Sequence, residues 1–368
     1  MESVRQIDAA TLRTWLESKK EISVLDIRPS EERKEWYIPG SFHIDALGKL
    51  KEGDPDALRD VVLDKNVPVV TVCGGGKTSL IAADILRKQG YEAYSLQDGM
   101  KGWSMAWNTA VASFDGYDII QLRRTGKGCL SYIAASDNKA VVIDASLPVE
   151  LYKNILQERN WKLTAVMETH IHADHLSRSR HLSDQLEVPL LLPVGNKVSF
   201  THNKIVDGQI IDLGKMAIRV IATPGHTIES VSYMLNNEVL FTGDTLFTNA
   251  VGRPDLKANE DEARRRAGLL YDSLQKLVQL NDDVVVFPAH TNTPINFDGQ
   301  PVKATLSEIK KSVAVLKLDK NDFINTILDK LPPAPANHLT IVESNLIGNI
   351  SNVNAIDLEA GANRCAVS

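Results

Sequence analysis

The sequence is poor in cysteine: Cys73, Cys129 and Cys365 are the only ones in 368 residues, too few and too widely spaced for a disulfide framework. Each therefore reads as a thiol. Long apolar runs are also missing. The densest, residues 188–194, is short and broken by Pro189 and Pro193, well below the ~18 residues that cross a bilayer, so no membrane association is expected. There is no excess of basic charge. Lys and Arg number 41 against 47 Asp and Glu, a net charge of -6, which leaves no footprint for a nucleic-acid backbone. Met1 to Gln6 do not lead from basic residues into an apolar stretch, so no secretory signal is read and the expected compartment is the cytoplasm.

What is present suits an ordinary globular chain, with 43% hydrophobic and 24% charged residues. At about 150 residues per domain the length predicts two or three folded units. Residues 1–112 alternate short β-type runs with helical ones, the pattern of a parallel sheet flanked by helices. Residues 22–26 and 68–72 read as buried strands, and 79–89 as a helix with Leu80, Ala83 and Leu86 at helical spacing. The second unit, 113–368, opens with close-set strands at 119–122, 130–133 and 140–143, as in a β-meander. A helix at 149–158, strands at 164–167, 216–222, 230–234 and 238–242, and helices at 260–279 and 304–330 follow.

Two constellations carry chemistry. In the first, Cys73-Gly74-Gly75-Gly76-Lys77-Thr78-Ser79 joins a predicted strand to a predicted helix. Backbone amides and the positive end of the helix favour a thiolate or a bound anion there, and glycine tolerates the left-handed angles such a loop needs. A sulfur so placed is equipped to carry a persulfide. The bland alternative is a buried structural cysteine beside a Gly-rich turn.

In the second, Thr169-His170-Ile171-His172-Ala173-Asp174-His175 packs three of the nine histidines and an aspartate behind a predicted strand. His226, Asp244 and His290 follow at loop-like positions after later strands. Imidazole and carboxylate together suit zinc or iron. His43, His181, His202 and His338 lack such context and read as structural. Cys129, beside a strand, reads as core; Cys365, near a chain end, reads as either inert or a sulfur relay. Arg253 reads as a contact for a substrate carboxylate or as loop structure.

Leu25-Asp26-Ile27-Arg28, Tyr37 to Ile44, the Cys73 loop and Leu96 to Trp103 together resemble a rhodanese domain over residues 1 to about 110. The resemblance implies an α/β fold and makes Cys73 the sulfur-carrying nucleophile, with Gly74 to Ser79 as the loop that cradles sulfur or an anion. Many family loops place Arg before the closing Ser or Ala; here Thr78 stands there, with Lys77 beside it.

The ordered His and Asp set resembles the metallo-β-lactamase superfamily over roughly 117–290, which implies an αββα sandwich. Two reactions share these positions. In the pattern of glyoxalase II, a dizinc thioester hydrolase, His170, His172, His226 and Asp244 hold one zinc, and Asp174, His175, His290 and Asp244 the other. In the pattern of the persulfide dioxygenases, His170, His226 and Asp244 alone hold one Fe(II), and His172, Asp174, His175 and His290 orient and tune. Ala173, the run from Asp244 to Leu256 and Pro288-Ala289-His290 are more similar to the dioxygenases. The segments Leu331 to His338 and Gly361 to Ala366 resemble the tails of rhodanese-fused members.

The resemblance therefore implies a persulfide dioxygenase acting on glutathione persulfide or a similar carrier, with O2, coupled to a sulfurtransferase that uses thiosulfate or sulfite. The alternative is a dizinc thioester hydrolase with a docking or sensing domain. A homodimer is expected from the related enzymes.

Overall fold

Strands of the first unit pair in parallel, in the spatial order Gln6–Ile7, Ala93–Leu96, Val69–Val72, Ser23–Asp26, Phe42–His43. Ser23–Asp26 and Val69–Val72 are buried along their whole length, as central parallel strands covered on both faces must be. Leu25, Val69, Ala83 and Leu86 pack on one face of this sheet, and Val24, Val70, Val72 and Trp103 on the other. The structure is a computed structural model that describes residues 5–350, 353–361 and 363–367. Met1 to Val4 and Ala362 of the tail motif lie outside the described residues.

The second unit is a sandwich. Its seven-stranded sheet runs from Asn203–Ile205 through Lys162–Met167 and Leu130–Ser136 to Asn108–Phe114, and its six-stranded sheet from Ile210–Leu213 through Val239–Gly243 to Ala304–Thr305. Ile119, Tyr132, Val141 and Met167 of one sheet meet Ile218, Tyr233, Phe241 and Phe287 of the other between them. Helices cover the outer faces. Tyr152, Leu156 and Leu182 seal the first sheet, while Leu270, Leu274, Leu277 and Phe323 seal the second. Helix Glu260–Val278 buries Ala263, Ala267, Leu270, Leu274 and Leu277, a stripe at i+3/i+4 spacing, behind an Asn259 cap that accepts the Glu262 N–H. Each such leucine contributes about 1.5–3 kcal/mol of burial.

Three expectations shift. Strand Asn108–Phe114 pairs in full register with Tyr117–Arg123, so the second unit's sheet begins before the expected boundary at 112. Its fully buried residues are Asn108, Ala110 and Ala112, with Phe114 half-buried at the end, a weak alternation to read. The expected helix at 304–330 is a short strand, a helix Leu306–Ser312 and a second helix Lys320–Asp329. Thr305, in a capping box with Glu308, and Asp319, accepting from the Asp322 N–H, start the two helices afresh. Finally, the end of the chain is built in. Ala366–Val367 pairs antiparallel with Val251–Gly252, which fixes Cys365 inside the protein.

Candidate metal centre and sulfur loop

Cys73 follows strand Val69–Val72 and precedes helix Lys77–Lys88. The Gly76 and Ser79 amides donate to its Sγ at 3.1 and 3.4 Å, and Ser79 Oγ lies 3.3 Å away. Ser95 Oγ donates to Ser79 Oγ at 2.9 Å, leaving the Ser79 hydroxyl hydrogen free for the sulfur. Gly76 is required here. Its φ is +81°, and a Cβ would fall 2.6 Å from the Asp98 nitrogen. Gly74 and Gly75 carry no such constraint. Thr78 is buried, whereas Lys77 is exposed.

The metal-type residues sit at strand ends, where a rigid sheet fixes their directions. His170 follows strand Lys162–Met167, Asp244 follows Val239–Gly243, and His290 follows Val285–Pro288. The ligand atoms of His170, His226 and Asp244 lie within 4.8 Å of one another, all buried. Asp244 Oδ2 is 3.8 Å from His170 Nε2 and 3.5 Å from His226 Nε2. The opposite ring nitrogens are tied. His226 Nδ1 donates to the Arg253 carbonyl at 2.7 Å, and His170 Nδ1 lies 2.9 Å from Thr169 Oγ1, which itself donates to Asp144. Both Nε2 atoms are thereby aimed at the carboxylate. His170 Nε2 and Asp244 Oδ2 are buried without a hydrogen-bond partner, the condition a metal ion relieves. The residues present fit a metal ion of the zinc or iron kind.

His172 stands beside the triad, its ring centroid 4.2 Å from that of His170, and both its ring nitrogens are likewise buried without a hydrogen-bond partner. Its Nε2 lies 3.2 Å from Asp144 Oδ1 and 3.8 Å from Glu168 Oε2. Burial would push its pKa down, but the two carboxylates outweigh it and raise it to about 9. His290 is clamped between Asp244 Oδ1, 2.5 Å from Nδ1, and Asp174 Oδ2, 2.9 Å from Nε2. Burial again acts against its charge, and the two carboxylates lift its pKa well above the ordinary histidine range. His290 thus occupies one oxygen of Asp244 and leaves the other for the triad. Asp174, His175 and His290 form a second cluster with Cys129, whose thiol donates to Asp174 Oδ2 at 3.2 Å.

Cys129 is therefore more than core. Cys365 also groups with Asp244 and His290, and burial holds its thiol pKa well above the ordinary value. Nothing in the local sequence around Cys129 marks this role, whereas Cys365 lay in the tail segment already singled out. The same tail brings Asn363, whose amide donates to Asp174 at 3.1 Å. It also brings Glu359, whose carboxylate takes Arg178 at 2.8 Å, the Leu176 N–H at 3.0 Å, and Arg124. Arg253 is built into the fold. It is 1% exposed, with Nε and Nη2 on Asp255 at 2.8 Å and Nη1 on the Pro333 and Arg364 carbonyls. Arg253→Ala is expected to cost about 1–3 kcal/mol of stability, seen as a lower melting temperature with substrate KM unchanged. A raised KM at unchanged stability would favour the substrate role instead.

A cavity of about 450 Å³ opens beside His226, walled by Ile171, Ala173 and Leu256, with the exposed Lys197 and Lys257 among its lining.

The model described as Metallo-beta-lactamase superfamily matches residues 124–290, and that described as Rhodanese-like domain matches residues 8–106. A hydroxyacylglutathione hydrolase from Francisella philomiragia is 31% identical over 200 residues, covering 53% of this chain and 77% of that one. The chain belongs to the metallo-beta-lactamase superfamily. A metallo-beta-lactamase from Staphylococcus aureus shares the superfamily fold at a TM-score of 0.58 and 23% identity, covering 65% of this chain and 74% of that one. ETHE1 from Myxococcus xanthus matches at a TM-score of 0.54 and 28% identity, over 61% of this chain and 96% of that one. The N-terminal unit adds a rhodanese-like domain to this superfamily enzyme.

Proposed function

We propose that the second domain is a mononuclear iron dioxygenase for low-molecular-weight persulfides, and that Cys73 carries sulfane sulfur in the first. One observation carries the reading. His170, His226 and Asp244 converge as a two-histidine, one-carboxylate set, while His172, which the dizinc pattern needs, has Nε2 3.2 Å from Asp144 Oδ1 and 3.8 Å from Glu168 Oε2. Such a triad, bound to Fe(II), supplies open positions and electrons for dioxygen chemistry, which closed-shell zinc does not. The likeness to ETHE1 supports the same reading.

In the overall reaction a persulfide, dioxygen and water give thiol, sulfite and two protons. The outer sulfur is oxidised, dioxygen is reduced, and the sulfur–sulfur bond breaks. The chain's own residues prepare the site. His290 fixes Asp244 through Oδ1, Thr169 and the Arg253 carbonyl fix the histidine rings, and the cavity beside His226 has room for a small peptide thiol with Lys197 and Lys257 near its carboxylates.

Oxygen uptake by the Fe(II)-loaded protein on adding glutathione persulfide tests this directly. Rapid uptake with sulfite appearing is the expected result; none, with iron confirmed bound, would sink it. The cluster of Cys129, Asp174, His175 and His290 favours a second reading, a dizinc thioester hydrolase, in line with the hydrolase name of the sequence relatives. Two tightly bound zincs per chain would mark it. For the first domain, Cys73→Ser is expected to abolish sulfur transfer to cyanide, and unchanged transfer would remove its catalytic role.

A further inference from the structure

Whether the second domain holds one metal ion or two turns on Asp174. The imidazoles beside it are open: His175 Nε2 and His290 Nε2 are buried without a hydrogen-bond partner, and ligand atoms of both residues, Asp174 and Cys129 lie within 4.8 Å of one another. Thiol and imidazole are neutral, so a divalent ion among these groups needs the Asp174 carboxylate.

That carboxylate is engaged. Each of its oxygens offers about two acceptor sites. On Oδ2 the Cys129 thiol donates at 3.2 Å and the Asn363 amide at 3.1 Å, which fills both. His175 Nδ1 lies 3.0 Å from Oδ1. The two donors to Oδ2 come from segments more than half the chain apart. Cys129 bridges to His290 just before strand Leu130–Ser136, and Asn363 belongs to the tail. The Asn363 amide is turned one way. Its Oδ1 accepts the Cys365 N–H at 2.7 Å, so the end facing Asp174 presents a hydrogen and not a lone pair. The backbone N–H of Asn363 donates to the Lys127 carbonyl at 3.2 Å. On either side the tail is anchored, by Glu359 on Arg124 and Arg178, by Arg364 on Glu35 of the first domain, and by Ala366–Val367 on Val251–Gly252.

On the reading that His170, His226 and Asp244 hold a single iron, we propose that Asn363 and Cys129 limit the domain to that one ion, by occupying the Asp174 oxygen that a second would need. Both are positioning residues: they act through Asp174 and set the metal count. A competing ion that must displace a hydrogen bond to a charged group loses about 10–100-fold in affinity.

The test takes the full-length protein, stripped of metal and reloaded with zinc(II) or cobalt(II), as the parent, Cys129→Ala, Asn363→Ala and the double variant, and measures metal per chain and zinc affinity. The parent should take up one zinc. Each single variant should bind a second zinc about tenfold tighter or more than the parent does, and the double variant should carry two per chain at the same free zinc. Cys129→Ala, a small change in the core, keeps the test open should Asn363→Ala loosen the tail. Variants that fold cooperatively, fill one site and still take no second zinc would overturn the assignment and leave the single-iron reading standing. Two tightly bound ions in the parent would overturn that reading, and the inference with it. Cobalt checks the part played by Cys129: a sulfur-to-cobalt charge-transfer band in the parent would make the sulfur a ligand rather than a donor to Asp174, and would also overturn the assignment.

Discussion

Asp244→Ala is expected to strip the second domain of iron and of oxygen uptake together. Asp244 is the only carboxylate in the set with His170 and His226, and its Oδ2 is buried without another partner. Outer groups that merely orient a ligand are worth about 10–100-fold in metal affinity or activity, so loss of a direct ligand should exceed that range. His226→Ala should behave alike, because its Nε2 has no substitute at 3.5 Å from the carboxylate. His172→Ala should differ: with its Nε2 beside Asp144 and Glu168, 3.2 and 3.8 Å away, the iron content should survive. Metal analysis beside oxygen electrode rates separates the three variants. Iron and uptake retained in Asp244→Ala would end the triad assignment.

Glu359→Ala is expected to produce the largest loss of stability. The carboxylate is fully buried between Arg124 and Arg178 and also accepts the Leu176 N–H from the loop after the His motif. Removing one member of such a group leaves buried cations unpaired, a cost of about 3–5 kcal/mol. For a domain of this size that lowers the melting temperature by roughly 10 °C. Arg124 also donates to the Ser104 carbonyl of the first domain, so calorimetry should show the domain junction weakened as well.

The same group sets an acid dependence. Burial pushes the Glu359 pKa up, but Arg124 and Arg178 outweigh it and hold it at about 2 against an ordinary 4.5. A depressed carboxylate stabilises the fold fully above its unfolded value, and that contribution fades as pH falls from 4.5 towards 2. The contribution is about 3 kcal/mol. Denaturant unfolding across that window should show a shallower pH slope in Glu359→Gln than in the parent, and equal slopes would refute the linkage.

Both folds were legible in the sequence because their signals are local. Strand and helix periodicity is read over ten residues or so, and the Cys73 loop and the cluster from His170 to His175 are single short motifs. Even the later candidate ligands, His226, Asp244 and His290, stand out by following strands. The failures were also local in origin. Asn108–Phe114 hides its alternation behind alanines, and the caps at Thr305 and Asp319 interrupt what reads as one long helix.

By itself, then, the sequence determined which side chains are candidates for chemistry and on which kind of element each of those stands. Tertiary structure decided which of them meet. His172 turning to Asp144, Cys129 joining Asp174, Arg253 closing on Asp255 and the tail, and Glu359 locking Arg124 to Arg178 are mostly contacts between distant segments. A residue's type and its neighbours in sequence set its chemistry and its local angles. Its partner across 181 or 235 residues is set by how the sheets pack, and only the folded backbone holds that information.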